Sequence, residues 1–273
     1  MAACLEAVRA HDHDRFLTLL FVPPAKRPAL IALYAFNIEI ARIAELVTEP
    51  MMGHIRLQWW RETLDGIPRG ETRGHAAADA LREAGGIPIG RLQALVDARE
   101  RDLSEDAFPD MAALEIYAEA TSSELMASAA EILAGRPDAA ASAGVTRHAG
   151  IAYALTGLLR ALPVHALQGR LLLPADILGR HDVDPHDVLA GRMTGGLRSA
   201  MGEVADAARR HLSAARRASF DAALLPALLP ASLCDRYLDR ISVRDFDPFR
   251  HPVEVPAFRR QLRLLQRSLL RRI

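Results

Sequence analysis

Apolar residues recur every three to four positions along most of this 273-residue chain, a spacing that places them on one face of a helix. Alanine, leucine and arginine dominate the composition, and all three favour helices. Few alternating runs rich in valine, isoleucine and threonine are present, so strands are not indicated. We therefore predict an all-α fold. No linker is rich or long enough to divide the chain, which predicts a single domain over residues 1–273.

Proline and glycine mark the ends of the predicted helices. The predicted helical segments are 26–47, 50–65, 76–84, a segment ending near 102, 108–135, 139–166, 197–218, 221–229, 232–241 and 256–272. The helix over 139–166 is expected to bend or end near Pro163. Residues 176–196 contain Pro185 and Gly191 and are expected to be irregular, as a flap or lid.

Composition excludes several classes of protein. The 34 basic residues balance the 34 acidic ones, so no electrostatic footprint for nucleic acid is present. Cys4 and Cys234 are too few and too far apart for a disulfide framework or a zinc site, which favours a reducing compartment. No uninterrupted apolar run approaches the roughly 20 residues that span a bilayer. The acidic N-terminus lacks the features of a secretory signal or a transit peptide. We expect a cytoplasmic protein, and peripheral attachment at the inner membrane face stays open.

Five collinear segments have distinctive sequences. They are 14–36, ending in Leu-Tyr-Ala-Phe; 55–61, reading Ile-Arg-Leu-Gln-Trp-Trp-Arg; 108–135; 169–176, with Gly-Arg and Leu-Pro-Ala-Asp; and 228–238, with Leu-Leu-Pro and Tyr-Leu. In this order they resemble the squalene/phytoene synthase family. The resemblance covers most of the chain and implies an isoprenoid-synthase-type helical bundle with a central cavity.

The resemblance also implies where catalytic carboxylates would lie. In that family, two Asp-x-x-x-Asp motifs face each other across the cavity, and this spacing puts both carboxylates of a motif one helical turn apart. They share Mg²⁺ ions that bind the diphosphate and neutralise it as it leaves. The corresponding positions here are Ala41 and Glu45 in the first motif, and Ala161 and His165 in the second. Glu45 alone keeps a carboxylate.

Neighbouring residues offer few substitutes for the missing acids. Arg42 lies three residues from both Glu39 and Glu45, so it is placed to pair with each and to repel a metal ion. No Asp or Glu occurs between Ala139 and Ala175. We therefore predict no metal site, no cofactor and no confident catalytic residue. Mg²⁺ is expected only if prenyl-transfer chemistry survives.

Several residues near these positions remain candidates for binding a ligand. They are Arg42, Gln58, Arg160, Arg170 and Tyr34. Arg160 and Arg170 either bind an anion such as a phosphate head group or form pairs within the protein. Tyr34 either belongs to the core or lines an apolar tunnel, and His165 is either a metal ligand or simply hydrogen-bonded. Asp102 lies where some family members carry further acids, although a solvated helix face also explains it.

The acid-poor motifs resemble one branch of the family, which includes a mitochondrial complex I assembly factor with a phytoene-synthase-like domain. This resemblance implies a non-catalytic protein that works with respiratory complex assembly partners at a membrane surface. The alternative is an active prenyltransferase that joins two isoprenyl diphosphates. An isoprenoid or lipid is a possible occupant of the cavity in either case.

The C-terminal helix is amphipathic. Its apolar residues Phe258, Leu262, Leu265 and Leu269 form one stripe, and residues 258–273 include six arginines and no acid. Two interpretations are open. The stripe packs on the bundle as a final core helix, or it contacts a membrane surface or a partner, as basic amphipathic helices do.

Overall fold

The computed structural model describes residues 1–104, 106–136 and 143–273, and these ranges contain helices and no strand. The α-helices are α1 (Ala2–His11), α2 (His13–Thr18), α3 (Arg27–Ala41), α4 (Ile43–Leu46), α5 (Pro50–Gly66), α6 (Ala76–Ala84), α7 (Ile89–Ala98), α8 (Met111–Ala118), α9 (Glu124–Ala134), α10 (Ala143–Leu167), α11 (Ala175–Arg180), α12 (Pro185–Leu189), α13 (Gly195–Arg217), α14 (Leu225–Leu228), α15 (Cys234–Ile241) and α16 (Ala257–Leu270). A π-helical segment, Glu119–Ser123, joins α8 to α9. The prediction of an all-α fold is confirmed.

Local sequence signals account for the ends of several helices. The Asp110 side chain accepts a hydrogen bond from the Ala113 backbone nitrogen at 2.8 Å, which caps α8, and Thr194 caps α13 through the nitrogen of Leu197 at 3.1 Å. These bonds satisfy backbone donors that have no partner inside the helix. Gly135 ends α9 at a φ of 70°, in the left-handed region that glycine adopts most easily.

Two hydrophobic clusters form the interior. One is built around α10 and α13 and includes Leu155 and Leu159. The other is built from the N-terminal helices, with α3 at its centre, and includes Leu33 and Phe36. Cys4 and Cys234 are buried, and neither forms a disulfide. The central cavity lies where these clusters meet, because side chains of both line it.

Helix α10 is long and apolar enough to cross a membrane by length and composition, with a hydropathy of 1.3. The sequence analysis found no uninterrupted apolar run of that length. In the fold, 44% of the apolar window is buried inside the protein, and buried residues such as Ala152, Leu155 and Leu159 place α10 in the core cluster that it shares with α13. A core helix passes the same test of composition, so this packing explains the apolar character of α10.

Residues 176–196 differ from the sequence-based expectation. They form α11 and α12 instead of an irregular flap, because Ile177 and Val188 are fully buried in the core. Gly196 allows the close approach of this segment, since a Cβ atom there would lie 2.2 Å from the carbonyl oxygen of His181. The expectation of an irregular conformation is therefore wrong for Ala175–Arg180 and Pro185–Leu189. Helix α10 also continues through Pro163 to Leu167, while residues 139–142 of the predicted helix lie outside the described residues.

Helix α16 packs against the protein with its charged face, whereas a core helix is expected to pack with its apolar face. Its single fully buried side chain is Leu264, and the arginines Arg260 and Arg263 also face the protein. The apolar stripe that begins at Phe258 is exposed. The interpretation in which this stripe packs on the bundle is therefore wrong, because buried Asp14 and partly buried Asp235 pair with the arginine face.

Gly150 sets the spacing between α10 and the π-helical segment. A Cβ atom at this position would lie 2.3 Å from the Cα atom of Ser123, and that backbone cannot easily move. We expect Gly150→Ala to lower the free energy of unfolding by about 1–3 kcal/mol through overpacking, as measured by urea denaturation. Gly157→Ala on the same helix is the matched control. A Cβ there meets nothing within 4 Å, so helix propensity should raise stability by about 0.5–1 kcal/mol. Equal effects of the two substitutions would contradict the proposed close contact.

Candidate functional site

A cavity of about 250 Å³ lies between α3, the α8–α9 region and α10. Ala41 and Glu45, from the first predicted motif, line it on one side, and Gly157 and His165 line it from α10. Three of the four motif positions therefore meet at one cavity. Ala161 instead lines a neighbouring pocket, together with Val164 and residues 248–253.

The only carboxylate that the motifs retain is held near an arginine. Glu45 lies 3.9 Å from the Arg42 guanidinium, and both side chains are about two-fifths exposed. The expected pairing of Arg42 with Glu39 is not observed, because Glu39 lies 3.7 Å from His75 instead. Arg42 is also 3.2 Å from the Nε2 atom of His11. Glu45 is thus the one acid of the motifs at the cavity, and a cation stands beside it.

A second carboxylate reaches the cavity from Asp102, which the sequence analysis also explained as part of a solvated helix face. Tyr117 donates its hydroxyl proton to Asp102 at 2.5 Å, and Arg99 donates to both Asp102 and Tyr117 at 3.2 and 3.0 Å. Arg170 donates to the Asp102 backbone oxygen at 3.0 Å. Burial raises the pKa of Tyr117 well above its ordinary value, so this phenol stays protonated and continues to donate. The Asp102 carboxylate therefore already accepts hydrogen bonds from side chains of the protein itself.

Positively charged side chains outnumber the carboxylates that line the cavity, so its charge disfavours a bound cation. Arg15, Arg99 and Arg170 line it against the carboxylates of Glu45 and Asp102. Arg15 is buried, forms an ion pair with Asp12 at 2.6 Å and lies over the ring of Tyr153 at 4.8 Å. Within the described ranges, no group of three or more His, Cys, Asp or Glu side chains is placed to hold a metal ion. This donor set fits clustered Mg²⁺ ions poorly, because such ions take several oxygen ligands.

His165 occupies a carboxylate position without supplying a negative charge. Burial, together with the nearby Arg170 guanidinium, lowers the pKa of His165 to about 4. The imidazole is therefore neutral at physiological pH. Its Nδ1 atom is buried, and no hydrogen-bond partner for it occurs among the residues that the structure describes.

Further polar atoms at the cavity share this lack of a partner. Asn37 Oδ1, Ser122 Oγ and Arg99 Nε are buried without a hydrogen-bond partner in the described part of the chain, and all three residues line the cavity. Buried polar atoms are rarely left unpaired, so each such atom indicates water or a ligand. Ser122 belongs to the π-helical segment, a feature that often occurs at functional sites.

The other ligand-binding candidates lie in different surroundings. Gln58 is exposed on α5 and donates to Glu62 at 3.1 Å, and it does not line the cavity. Tyr34 is buried in the core beneath Arg15, with 5.7 Å between the guanidinium carbon and the ring centre. Arg160 lines the pocket shared with Ala161. Of the five candidates, Arg170 alone lines the central cavity.

Arg160 is engaged within the protein by Asp14. It donates to the Asp14 carboxylate at 3.2 Å and stacks over the ring of Tyr237 at 3.7 Å. Asp14 is almost fully buried, and it also accepts bonds from Tyr237 at 2.9 Å and from Arg260 at 3.0 Å. The carboxylate therefore connects α2, α10, α15 and α16. Its place in the 14–36 segment was visible in the sequence, but its partners lie 146 to 246 residues away.

Sequence reasoning missed Asn37, Ser122 and Tyr117 as cavity residues. One signal was available, because Thr121, Ser122 and Ser123 interrupt an otherwise apolar helix with three hydroxyl residues. The amide of Asn37 lies one turn before Ala41, which places both on the face that lines the cavity. Polar residues on an apolar helix face are thus the pattern that indicates this site.

Comparisons with known proteins agree with the geometry. A family model described as squalene/phytoene synthase matches residues 8–266. The NADH dehydrogenase (ubiquinone) complex I, assembly factor 6 of Bos taurus is 34% identical over 271 residues, which cover 97% of this chain and 79% of that protein. Phytoene synthase 2, chloroplastic, of Solanum lycopersicum is 25% identical over 259 residues, covering 90% of this chain and 82% of that protein.

A crystal structure of a dehydrosqualene synthase in complex with ligand matches this fold with a TM-score of 0.79 at 17% sequence identity. The match covers 98% of this chain and 95% of that one. The predicted fold, a helical bundle of the isoprenoid-synthase type with a central cavity, is confirmed.

The buried Asp14 carboxylate should be essential to stability. We expect Asp14→Asn to lower the free energy of unfolding by roughly 3 kcal/mol, because two partly buried guanidinium groups lose their counter-charge. Urea denaturation gives the measurement. Glu6→Gln serves as the control, since Glu6 forms an exposed pair with Arg9 that contributes less than about 1 kcal/mol. A loss as small as that of the control would show that Asp14 does not hold these helices together.

The low pKa of His165 should make the fold sensitive to acid. Below about pH 6.5 the unfolded chain binds a proton at this ring and the folded chain does not, so stability falls until about pH 4, where the folded ring is protonated as well. We expect His165→Asn to lose less stability than the wild type between pH 6.5 and pH 4, by on the order of 2 kcal/mol. This difference is smaller than the full pKa shift of His165 implies, because the side chain is not fully enclosed. His54→Asn, at an exposed position of α5, is the matched control for the substitution itself. Identical profiles for wild type and His165→Asn between pH 7 and pH 4 would contradict the assignment.

Proposed function

The chain belongs to the squalene/phytoene synthase family, and from that premise we propose that it acts without catalysis, as an assembly factor for respiratory complex I. The observation that carries the proposal is the composition of the cavity. A family fold keeps its cavity here, while Ala41, Ala161 and His165 stand where the resemblance implies carboxylates. The similarity to complex I assembly factor 6 extends over nearly the whole chain, which supports the same conclusion.

Electrostatics supports the absence of diphosphate chemistry. Ionisation of an allylic diphosphate requires the leaving group to be neutralised, and hard divalent ions held by several carboxylates do this in the parent family. Glu45 lies beside Arg42, Asp102 is bonded to Arg99 and Tyr117, and His165 is neutral. No second anionic ligand therefore faces Glu45 from α10, and we expect no cofactor.

A ligand in the cavity is part of the proposal. The lining combines apolar side chains, including Leu114, Leu125 and Leu158, with the unpaired atoms of Asn37 and Ser122. This combination suits one amphiphile, such as an isoprenoid or other lipid with a small polar head. A volume of about 250 Å³ lies below the range of about 300–1,000 Å³ that is usual for small-molecule pockets, so one chain fits better than the two that a condensation requires.

The proposed location is the cytoplasm, with peripheral attachment at the inner membrane face. The exposed apolar face of α16 supports the peripheral attachment. We propose that the protein contacts complex I assembly partners at that membrane surface.

The alternative function is an active prenyltransferase of the squalene or phytoene type. The fold and the 25% identity to a phytoene synthase favour it. Incubation of the purified protein with farnesyl or geranylgeranyl diphosphate and Mg²⁺ separates the two functions. Release of inorganic diphosphate above a protein-free control, abolished by Glu45→Gln, would support catalysis and contradict our proposal.

We expect deletion of the gene to reduce the amount of assembled complex I, as measured by native gel electrophoresis and NADH oxidation in membranes. Restoring the wild-type gene should recover assembly. Glu45→Gln should recover it equally, because the proposed function needs no metal-binding carboxylate. Asp14→Asn provides the destabilised control that should fail. A normal level of complex I after deletion, or a loss of assembly specific to Glu45→Gln in a stable protein, would contradict the proposal.

A further inference from the structure

Helix α16 is amphipathic, but it contacts the protein through its charged side. Arg260 donates to buried Asp14 at 3.0 Å, and Arg263 donates to Asp235 at 2.9 Å and to the backbone oxygen of Ser232 at 3.3 Å. Leu264, with 1% of its surface exposed, is the one buried apolar residue of the helix. These contacts fix the rotation of α16 about its axis.

The opposite side of α16 exposes its apolar stripe. Phe258, Leu262, Leu265 and Leu269 are 72%, 53%, 49% and 76% exposed. Their spacing of i, i+4, i+7 and i+11 places them along one face, about half a turn away from Arg260 and Arg263. Exposed apolar residues in a contiguous row indicate an interaction surface, whereas isolated ones do not.

The charges around this face are almost entirely positive. Arg259 lies beside Phe258, and Arg271 and Arg272 follow the last turn; all three are exposed. Residues 257–273 contain no acid. Behind the helix, burial lowers the pKa of Arg267, and the neighbouring cations Arg216 and Arg272 lower it further. Asp235 is the carboxylate that Arg216 and Arg263 share.

We propose that the exposed face of α16 is a docking surface for an anionic lipid bilayer. The inference rests on the peripheral location proposed above and assigns it to a defined surface. Phe258, Leu262, Leu265 and Leu269 enter the boundary between headgroups and acyl chains, while Arg259, Arg271 and Arg272 contact lipid phosphates at its edge.

Charge argues against a second copy of the chain as the occupant. Two α16 faces brought together would place Arg259, Arg271 and Arg272 near their own copies, with no acid on the helix to balance them. Like charges directly opposed across an interface are unfavourable. A bilayer rich in anionic lipid supplies both the apolar phase and the negative charge that this face lacks.

Vesicle co-sedimentation of the full chain tests the proposal. We expect binding to vesicles of phosphatidylcholine mixed with phosphatidylglycerol, little binding to phosphatidylcholine alone, and weakening of the binding by added salt. The double variant Leu262→Ser/Leu269→Ser should bind at least about tenfold more weakly, because two apolar side chains no longer enter the bilayer. Ile116→Ser is the matched control, since Ile116 is 68% exposed on α8, and it should bind as the wild type does.

The arginines are tested separately with Arg271→Gln/Arg272→Gln, which should weaken binding to anionic vesicles by about tenfold or more and reduce its dependence on salt. Because all four substituted side chains are exposed, the thermal midpoint should stay unchanged, which separates docking from folding.

Unchanged binding by both double variants would overturn the proposal. So would a dimer in sedimentation velocity that Leu262→Ser/Leu269→Ser converts to a monomer. These binding results do not depend on complex I, so loss of docking and loss of the assembly function are distinguishable.

Discussion

The carboxylate of Asp14 accepts hydrogen bonds from Tyr237, Arg160 and Arg260 in the interior of the protein. A buried carboxylate is costly unless its charge is compensated, and here two guanidinium groups and a phenol compensate it. The same contacts orient α10, α15 and α16 relative to α2. Because Arg260 must face Asp14, the apolar stripe of α16 must face solvent. One buried charge therefore determines both the packing of the last helix and the surface that it exposes.

The walls of the cavity and its predicted motif positions are formed by different residues. The hydrophobic clusters that form its walls depend on residues such as Leu33 and Leu155, which are independent of the motif positions. Replacing carboxylates by Ala41 and by a neutral His165 removes the mutual repulsion that clustered acids create in the absence of metal. Arg99, Tyr117 and Asp102 then form a closed network beside the cavity. Asn37 and Ser122 also line the cavity, with buried polar atoms that have no hydrogen-bond partner in the described part of the chain, which supports the proposed amphiphile.

Several features of the fold were predictable because they depend on local sequence. The helix over Ala76–Ala84 begins and ends as its alanine-rich pattern and the following glycines indicate, and the predicted start at Pro50 is confirmed. The residues at 176–196 were misread, since Pro185 and Gly191 suggested a loop while Ile177 and Val188 found buried positions. Proline at the first turn of a short helix is tolerated. Distant helices pack against this segment and stabilise α11 and α12. No local sequence pattern indicates that packing.

Helical periodicity and the collinear family segments are properties of the linear chain. They predicted the all-α fold and the family, and both predictions are confirmed. The orientation of α16 depended on three-dimensional packing, because periodicity identifies an apolar face but does not say which face the rest of the protein will bury. An arginine face is normally solvated. Here the burial of Asp14, from the opposite end of the chain, made the charged face the more favourable one to enclose.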